Sequence, residues 1–337
     1  MRSAGVAGLL LAGVAACNSS PAPEQHAAPA VVPVRAAPTG VDASSSAGDV
    51  EHGADASAVR TDVTASYETA RPTGGKSIGH TSVVLKLKLE GGLEAAYKPR
   101  SKRGPLRYKG EIAAYRLATA LGLVNVPRAL PRALPLAALI ASVGGKDTAA
   151  GELLVNEAIP DGKGDVPGAL IPWIPHLDFL ALEADPLLSE WKRWLHGEGD
   201  IPPEKRALAG QISTLIVFDY VTGNWDRWSG GNIGLDKEHG TVLFIDNDGA
   251  FYDVPPPGPL AAQRVRLAAL TRFSRTFVEH LRTLDLPALG AAMGDDDGAP
   301  LLSRKSLAGV MARKDDALQL IDARVKMRSA AATLSFD

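Results

Sequence analysis

Alternating apolar and polar residues mark the first part of the chain. Residues 82–89 alternate Leu and β-branched side chains with Lys, a spacing of two that predicts a strand. Glu90-Gly91-Gly92 predicts a turn, and residues 93–98 predict the returning strand. Residues 109–121 carry apolar side chains on or near one helical face, with Gly122 just past the predicted end. A small sheet with one helix is therefore expected here.

Helical spacing of apolar residues dominates the later part of the chain. Residues 208–221 predict a long, buried helix, and residues 264–284 and 307–327 predict two further helices. Residues 233–235 and 241–245 frame a turn and predict a hairpin. This part is therefore expected to be mainly helical.

The middle of the chain gives weaker patterns. Residues 130–143 are apolar and fit a strand or a helix, residues 153–159 predict a strand, and residues 165–204 predict short helices and loops. The order of elements indicates an α+β, two-lobed arrangement. We place a β-rich N-lobe at residues 61–160 and a mainly helical C-lobe at residues 161–330.

The N-terminus carries the pattern of a secretory signal. Arg2 precedes the apolar stretch 6–14, which is too short to span a bilayer as a mature helix. The segment Val14-Ala15-Ala16-Cys17 resembles the lipobox of bacterial lipoproteins. That resemblance implies a signal peptide over residues 1–16, cleavage before Cys17, and lipidation of its thiol. The alternative is an ordinary secretory peptide with a chance cysteine.

Residues 17–60 are expected to form a disordered tether, because Ala, Pro, Ser and Gly dominate and large apolar groups are few. Lipidation of Cys17, with palmitate among the acyl groups, would attach the protein to a membrane through the lipid anchor only. Asn18 after the cysteine favours the outer membrane, outside the cytoplasm. Cys17 is also the only cysteine, so its lipidation would exclude disulfides, zinc–thiolate sites and a cysteine nucleophile.

The charge balance argues against a nucleic-acid partner. The formal net charge is −2 and the Lys and Arg residues are scattered along the chain. The length of 337 residues is sufficient for two lobes with a sizeable core.

Polar residues gather on two neighbouring loops. Asn224-Trp225-Asp226-Arg227 follows the predicted long helix, with Asn232 close behind, and Asp246-Asn247-Asp248-Gly249 follows the predicted hairpin. An Asp could orient an attacking hydroxyl, and an Asn and a second Asp could hold metal ions against phosphates. Asp and Asn also cap ordinary turns, and for either loop alone that is the simpler explanation.

The segments FDYVTGNWDR (218–227), Gly231-Asn232 and LFIDNDGAF (243–251) resemble the four-jointed-like and Golgi secretory-pathway kinases. They are more distantly similar to type II phosphatidylinositol kinases, which share the protein-kinase-like fold. The resemblance implies that Asp226 is the catalytic aspartate and that Asn232 and Asp246 are metal ligands. It also implies ATP and Mg²⁺ or Mn²⁺ as cofactors.

Lys98 and Glu111 fit the phosphate-binding part of the same pattern. Lys98 ends a predicted strand, and Glu111 lies early on the next predicted helix. A Lys–Glu pair of this kind holds the ammonium group against nucleotide phosphates. The alternative is a surface lysine and a first-turn glutamate favoured by the helix dipole.

Two weaker signals complete the predicted nucleotide site. Gly74, Gly75 and Gly79, in the segment 74–80, could form a flexible turn over the phosphates. The same glycines imitate a Walker A end and an esterase elbow, but the flanking pattern fits neither. Asn156 and Glu157, in the strand predicted at 153–159, could face the adenine, although a core strand would look the same.

Taken together, these residues predict an ATP-dependent phosphotransferase that acts outside the cytoplasm on a hydroxyl of a protein Ser or Thr or of a glycan. Two alternatives stay open. The chain could be a catalytically inactive, pseudokinase-like lipoprotein that binds a nucleotide or a partner, or it could transfer AMP on the same fold.

Overall fold

The computed structural model describes residues 66–79, 82–197, 199–296 and 298–337, all within the compact unit Ala54–Asp337. The predicted signal peptide 1–16, the lipidation site Cys17 and the tether 17–60 lie outside the described residues. Within the described ranges, no helix combines the length and the apolar character needed to cross a membrane.

The first lobe is built on a five-stranded antiparallel sheet with the strand order β1-β2-β3-β5-β4. The predicted alternation is visible in β2, where Leu85, Leu87 and Leu89 are buried and the two lysines point away from the core. The strands are β1 Pro72–Ser77, β2 Leu85–Leu89, β3 Glu94–Pro99, β4 Leu130–Pro135 and β5 Asp165–Pro172.

Helices also pack beside this sheet. Helix α1, Arg107–Ala120, is buried along much of its length and packs into the core of the second lobe. Helices α2, Leu136–Ser142, and α3, Ala149–Glu157, cover the other part of the sheet. Helix α1 therefore lies where it can carry side chains into the space between the lobes.

The second lobe surrounds helix α5, which is buried on nearly all sides, with a three-stranded sheet of order β6-β7-β8 beside it. The hairpin predicted after this helix is present as β7 and β8. The sheet strands are β6 Leu177–Phe179, β7 Ile233–Asp236 and β8 Thr241–Phe244, and a two-residue pair is formed by β9 Asp295–Asp296 and β10 Ala299–Pro300. The helices are α4 Leu187–His196, α5 Arg206–Thr222, α6 Pro257–Ala269, α7 Arg275–Thr283, α8 Leu286–Met293, α9 Arg304–Arg328 and α10 Ala330–Thr333.

The strand predicted at 153–159 is wrong, because this segment is part of helix α3. The Thr148 side chain caps the helix by accepting a hydrogen bond from the Gly151 amide at 3.1 Å. The strand that completes the sheet is β5, Asp165–Pro172, in a segment predicted as short helices and loops. Since β5 pairs with both β3 and β4, the first lobe extends to Pro172 rather than ending at residue 160.

Two other patterns are resolved by proline and by a helix cap. The ambiguous segment 130–143 divides into strand β4 and helix α2 at Pro135, which is the last residue of the strand and the N-cap of the helix. The helix predicted at 264–284 is two helices, α6 and α7. Ser274 separates them by accepting a hydrogen bond from the Phe277 amide at 3.3 Å.

Candidate active site

A cleft of about 510 Å³ lies between the two lobes, a size suited to a small ligand such as a nucleotide. The first lobe contributes the apolar residues Ile78, Val84 and Ala96 to its walls. Charged and polar side chains lie together at one end and come from strand β3, helix α1 and two loops of the second lobe: Lys98, Glu111, Asp226, Asn232 and Asp246.

Lys98 and Glu111 form the predicted pair, buried at this end of the cleft. The Lys98 Nζ contacts Glu111 Oε1 and lies 2.7 Å from Asp246 Oδ1. Burial alone would lower the pKa of Lys98, but the carboxylates of Glu111, Asp246 and Asp248 raise it well above its ordinary value. Burial raises the pKa of Glu111, and the Lys98 ammonium opposes that rise. The ammonium is thus permanently charged and held in a fixed position.

The loop after β8 carries Asp246 into the cleft. Its backbone adopts a left-handed conformation, with φ of +56°, which aspartate tolerates better than most residues. Burial acts to raise the pKa of Asp246, but the Lys98 ammonium outweighs it and the pKa is lowered. Asp246 therefore stays ionised, as a metal ligand must be.

Asn247 joins this loop to helix α1. Its amide donates to Glu111 Oε1 at 2.9 Å, and its side chain donates to the Phe244 carbonyl at 2.8 Å. The helix can approach this closely because residue 110 is glycine: a Cβ there would lie 2.5 Å from the Asn247 carbonyl oxygen. Gly110 therefore lets Glu111 reach the loop that carries Asp246.

The loop after helix α5 positions Asp226 and Asn232. Gly223 ends the helix in a left-handed conformation, with φ of +67°. The Asn232 side-chain nitrogen donates to the Asp226 carbonyl at 2.8 Å and to Ser229 Oγ at 3.2 Å. Burial raises the pKa of the Asp226 carboxyl, and the negative charges of Asp246 and nearby Asp248 add to this rise.

Arg227 connects the two loops, a role that was not predicted for it from the sequence. Its side chain is fully buried, and Nε donates to both carboxylate oxygens of Asp219 at 3.1 Å. Nη2 donates to Asn247 Oδ1 at 2.5 Å, and Nη1 donates to the carbonyls of Asn232, at 2.6 Å, and Ile245. Burial raises the pKa of Asp219 to about 6 against the opposing charge of Arg227. One guanidinium thus fixes both loops.

Asp248 and Arg107 form a second connection that the sequence did not predict. The Asp248 carboxylate is almost fully buried; it accepts hydrogen bonds from Arg107 Nη2 at 2.7 Å and from Ser82 Oγ at 3.1 Å. The Lys98 Nζ lies 3.9 Å away. A sequence signal existed, because Asp248 follows Asp246 by two positions and Arg107 precedes Glu111 by one helical turn.

The predicted glycine turn is only partly correct. Gly74 and Gly75 lie in strand β1, where they pair with Lys88 and Leu87 of β2, away from the cleft. A Cβ on Gly75 would lie 2.9 Å from the Leu87 side chain, which explains a glycine in this strand by packing. Gly79 does line the cleft. The turn therefore falls between β1 and β2, later than predicted, and its residues 80–81 lie outside the described ranges.

Asn156 and Glu157 do not line the cleft, so their predicted role of facing a nucleotide there is wrong. They lie on helix α3, where the Asn156 carbonyl accepts a hydrogen bond from Lys102 Nζ at 2.6 Å. The Glu157 carboxylate lies 3.5 Å from Arg103 Nε. The prediction failed because it depended on a strand at 153–159, and that segment is helical.

The segment Pro172–Ile174, at the end of β5, lines the cleft in their place. The Trp173 amide donates to the Glu94 carbonyl of β3 at 2.9 Å. The segment therefore forms part of the cleft wall that a flat heterocyclic ligand would contact.

The polar end of the cleft suits a divalent cation. Four carboxylates, those of Glu111, Asp226, Asp246 and Asp248, face the two cationic side chains Lys98 and Arg107, which formally leaves two negative charges in excess. Both hydrogen bonds that Asn232 donates use its amide nitrogen, which leaves its side-chain oxygen on the other side of the amide group. Mg²⁺ typically takes one or two carboxylates and completes its coordination with phosphates and water.

Asp246 and Asn232 are the residues that could hold the ion. Within the described residues, no group of three or more His, Cys, Asp or Glu side chains has the arrangement of a metal site. The oxygen ligands that Asp246 and Asn232 offer are of the kind that Mg²⁺ and Mn²⁺ accept.

Comparisons with known proteins place this fold. No family model matches the chain, and no curated protein matches it significantly. A hydra Fam20 structure, solved with sugar, has 16% sequence identity and a TM-score of 0.61 over 83% of this chain and 93% of its own.

Two structures of the Golgi casein kinase are also similar. One has 14% identity and a TM-score of 0.59 over 83% of this chain and 79% of its own. The other, with Mn/ADP bound, has the same identity and TM-score over 82% of this chain and 79% of its own. The predicted two-lobed α+β fold is therefore confirmed, and the chain has the kinase-like fold of the Fam20 structures.

Proposed function

We propose that this protein is an ATP-dependent phosphotransferase that phosphorylates a hydroxyl group. One observation carries the proposal: Lys98, Glu111, Asp226, Asn232 and Asp246 come from separate elements of both lobes and meet at one end of a single cleft. The kinase-like fold supports it, and so does the Golgi casein kinase structure with Mn/ADP bound.

The residues support one reaction sequence. Lys98, fixed by Glu111, binds phosphate oxygens of ATP. Asp226 accepts a hydrogen bond from the acceptor hydroxyl and orients its oxygen toward the γ-phosphorus. The bond from this oxygen to phosphorus forms as the bond from phosphorus to the β,γ-bridging oxygen breaks. The hydroxyl proton passes to Asp226 and then to solvent, and ADP leaves.

A divalent cation held by Asp246 and Asn232 would neutralise phosphate charge when bound. The adenine base of the nucleotide would lie between apolar side chains of the two lobes, against Pro172–Ile174.

The acceptor is proposed to be a protein Ser or Thr or a glycan hydroxyl. The structural neighbours give reason to test both classes, because one was solved with sugar and the other is named a casein kinase.

Asp226→Asn tests the reaction. We expect transfer from γ-labelled ATP, with Mg²⁺ or Mn²⁺, to fall by about 10²–10⁴-fold, because general-base catalysis contributes about that much. Nucleotide affinity should change little, since Asn keeps the shape of the side chain. Casein and a panel of oligosaccharides would serve as acceptors, with thermal unfolding of both proteins as the control for folding.

The pH dependence gives the same test an independent readout. Asp226 must be ionised to accept the proton, and its pKa is raised above the ordinary 3.8. The acid limb of kcat/KM should therefore lie at a higher pH than an ordinary aspartate would give, and Asp226→Asn should remove that limb.

Label transferred from α-labelled rather than γ-labelled ATP would indicate AMP transfer. Tight ATP binding without any transfer would indicate a pseudokinase.

We also propose that the protein acts outside the cytoplasm as a lipoprotein anchored through Cys17. A single substitution tests this proposal. Cys17→Ala should abolish incorporation of labelled palmitate and release the protein from the membrane fraction, because the lipid supplies the attachment. Substitution of Ser19, two positions away, is the control and should change neither. Equal palmitate incorporation in wild type and Cys17→Ala would reject the anchor.

A further inference from the structure

Arg107 lies behind the polar end of the cleft, where its side chain contacts Asp248 and approaches Asp226. It begins helix α1 one turn before Glu111, so both side chains leave the same face of the helix. Its Nη2 lies 2.7 Å from Asp248 Oδ1 and 3.9 Å from Asp226 Oδ2. The guanidinium is therefore next to the carboxylate that would hold the acceptor hydroxyl.

The backbone around Arg107 gives its side chain room to take this course. A Cβ on Gly104 would lie 2.3 Å from Arg107 Cδ and 2.4 Å from its Cγ. Any larger residue at 104 would push the side chain aside. The Arg107 side chain is only 19% exposed, and its guanidinium lies 5.9 Å from the centre of the Trp225 ring. Glycine at 104 and the partial burial of the side chain keep the guanidinium next to Asp248 and near Asp226.

The guanidinium still has hydrogen-bonding capacity. Asp248 takes a hydrogen bond from Nη2, while Nε is buried without a partner among the described residues. Because Nε is enclosed, the donors that remain for a ligand are the N–H groups at the end of the side chain that Asp248 does not take. Asp248 is anchored by Ser82, so it can hold the guanidinium in place while other N–H groups bind elsewhere.

The charge pattern shows what this arginine could bind. Lys98 is already held by Glu111 and Asp246, which suits phosphates deeper in the cleft. The transferred phosphoryl group must lie within bonding reach of the hydroxyl at Asp226, which is beside Arg107. Arginine is well suited to phosphate oxygens, because its planar donors match their spacing.

We propose that Arg107, positioned by Asp248, binds the γ-phosphoryl group of the nucleotide and stabilises its charge during transfer. The inference rests on the phosphotransferase function proposed above. Arg107 makes this contact only with a triphosphate, since ADP lacks the group it binds. The contact neutralises charge on the equatorial oxygens, and the bonds made and broken are those of the transfer described above.

The test compares ADP with a non-hydrolysable ATP analogue, AMP-PNP, binding to the full-length protein in the presence of Mn²⁺. In Arg107→Ala, affinity for AMP-PNP should fall by about tenfold or more, because a charge-assisted hydrogen bond is lost. Affinity for ADP should stay within about twofold. Transfer of the γ-phosphoryl group should fall by about 10³-fold, the lower range for an arginine in this role.

Matched variants separate this role from others. Arg103→Ala removes the same charge four positions earlier and should preserve the preference for AMP-PNP over ADP. Gly104→Ala keeps the guanidinium but displaces it, and should reproduce part of the loss. Since Arg107→Ala leaves Asp248 buried without its partner, the double variant Arg107→Gln/Asp248→Asn removes both charges and should fold while still losing the preference.

The outcomes are distinguishable. If wild type binds both nucleotides and Arg107→Ala weakens them equally, or weakens neither, the Arg107 inference is overturned while the phosphotransferase proposal stands. A rise in acceptor KM alone would also overturn it, since Arg107 would then recognise the acceptor. If the wild-type protein binds neither nucleotide, the phosphotransferase proposal itself fails.

Discussion

Asp246→Asn is expected to reduce phosphotransfer by about a thousandfold or more. A catalytic metal supplies several kcal/mol of charge stabilisation, and each 1.36 kcal/mol corresponds to a factor of ten in rate. Asn keeps the size of the side chain and tolerates the left-handed backbone at this position, where φ is +56°. The carboxylate that would bind the metal is thus removed with little strain.

Stability should change much less than activity in this variant. The Asp246 side chain is 38% exposed, and Lys98 keeps its buried partner Glu111. We expect a change of at most about 1 kcal/mol in the free energy of unfolding. Metal-dependent binding of ATP, measured by calorimetry with and without Mn²⁺, should be lost.

Asp236→Asn, in the neighbouring hairpin, is the matched control and should bind nucleotide and metal as wild type does. Asp246→Ala should match Asp246→Asn in activity and be slightly less stable, because alanine suits the left-handed conformation less well. Full activity in Asp246→Asn would contradict the proposed metal site.

The largest stability effect is expected for Arg227→Ala. Its guanidinium is fully buried and donates to Asp219, Asn247 and two backbone carbonyls. Removing one partner of a buried ion pair typically costs about 3–5 kcal/mol, because the remaining charge is uncompensated. The melting temperature should fall by about 10 °C, and phosphotransfer should fall as both loops lose their common support.

Arg264→Ala is the control for this variant. Arg264 also makes two hydrogen bonds to an aspartate, Asp316, each at 2.9 Å, but its side chain is 53% exposed. An exposed pair of this kind contributes about 0–1 kcal/mol, so the melting temperature should change by no more than about 3 °C. Equal falls in melting temperature in the two variants would show that the buried Arg227 contributes no more to stability than an exposed ion pair does.

The loss in Arg227→Ala should also depend on pH. The pKa of Asp219 is already raised to about 6 with Arg227 present, and removing the arginine would raise it further. A carboxyl whose folded pKa exceeds its unfolded value binds more protons in the folded state, so stability rises as pH falls through that range. The difference in the free energy of unfolding between variant and wild type, measured by chemical denaturation, should therefore be smaller at pH 5 than at pH 7.

Residues beside strong secondary-structure signals could be predicted from the sequence. Asp226 follows the long apolar helix that Gly223 ends, and Asp246 follows the second strand of the hairpin. Lys98 and Glu111 lie at the end of an alternating strand and early on an amphipathic helix. In the structure these four residues lie together, and their catalytic roles stay predictions.

Other elements escaped sequence analysis for physical reasons. Strand β5 contains Pro167, Gly168 and Pro172, which interrupt the alternation that indicates a strand. Helix α3 contains the short apolar run Leu153-Leu154-Val155, which periodicity alone cannot assign. The Thr148 cap was the usable signal.

The contacts between lobes depend on the fold itself. Arg107 and Asp248 are 141 positions apart, so local spacing places each beside a predicted site residue but does not pair the two. Arg227 looked like part of a motif, but its partners Asp219, Asn232, Ile245 and Asn247 come from three elements. Such partners become visible only when chain topology brings the loops side by side.

The position of Arg227 has a consequence for local unfolding. Its N–H groups donate to Asn232 in one loop and to Ile245 and Asn247 in the other. Opening either loop therefore leaves the guanidinium without some of its acceptors. The free-energy cost of opening one loop therefore includes the cost of releasing the other. The loops that carry Asp226 and Asp246 form one cooperative unit, and thermal fluctuations that would separate these two carboxylates are suppressed.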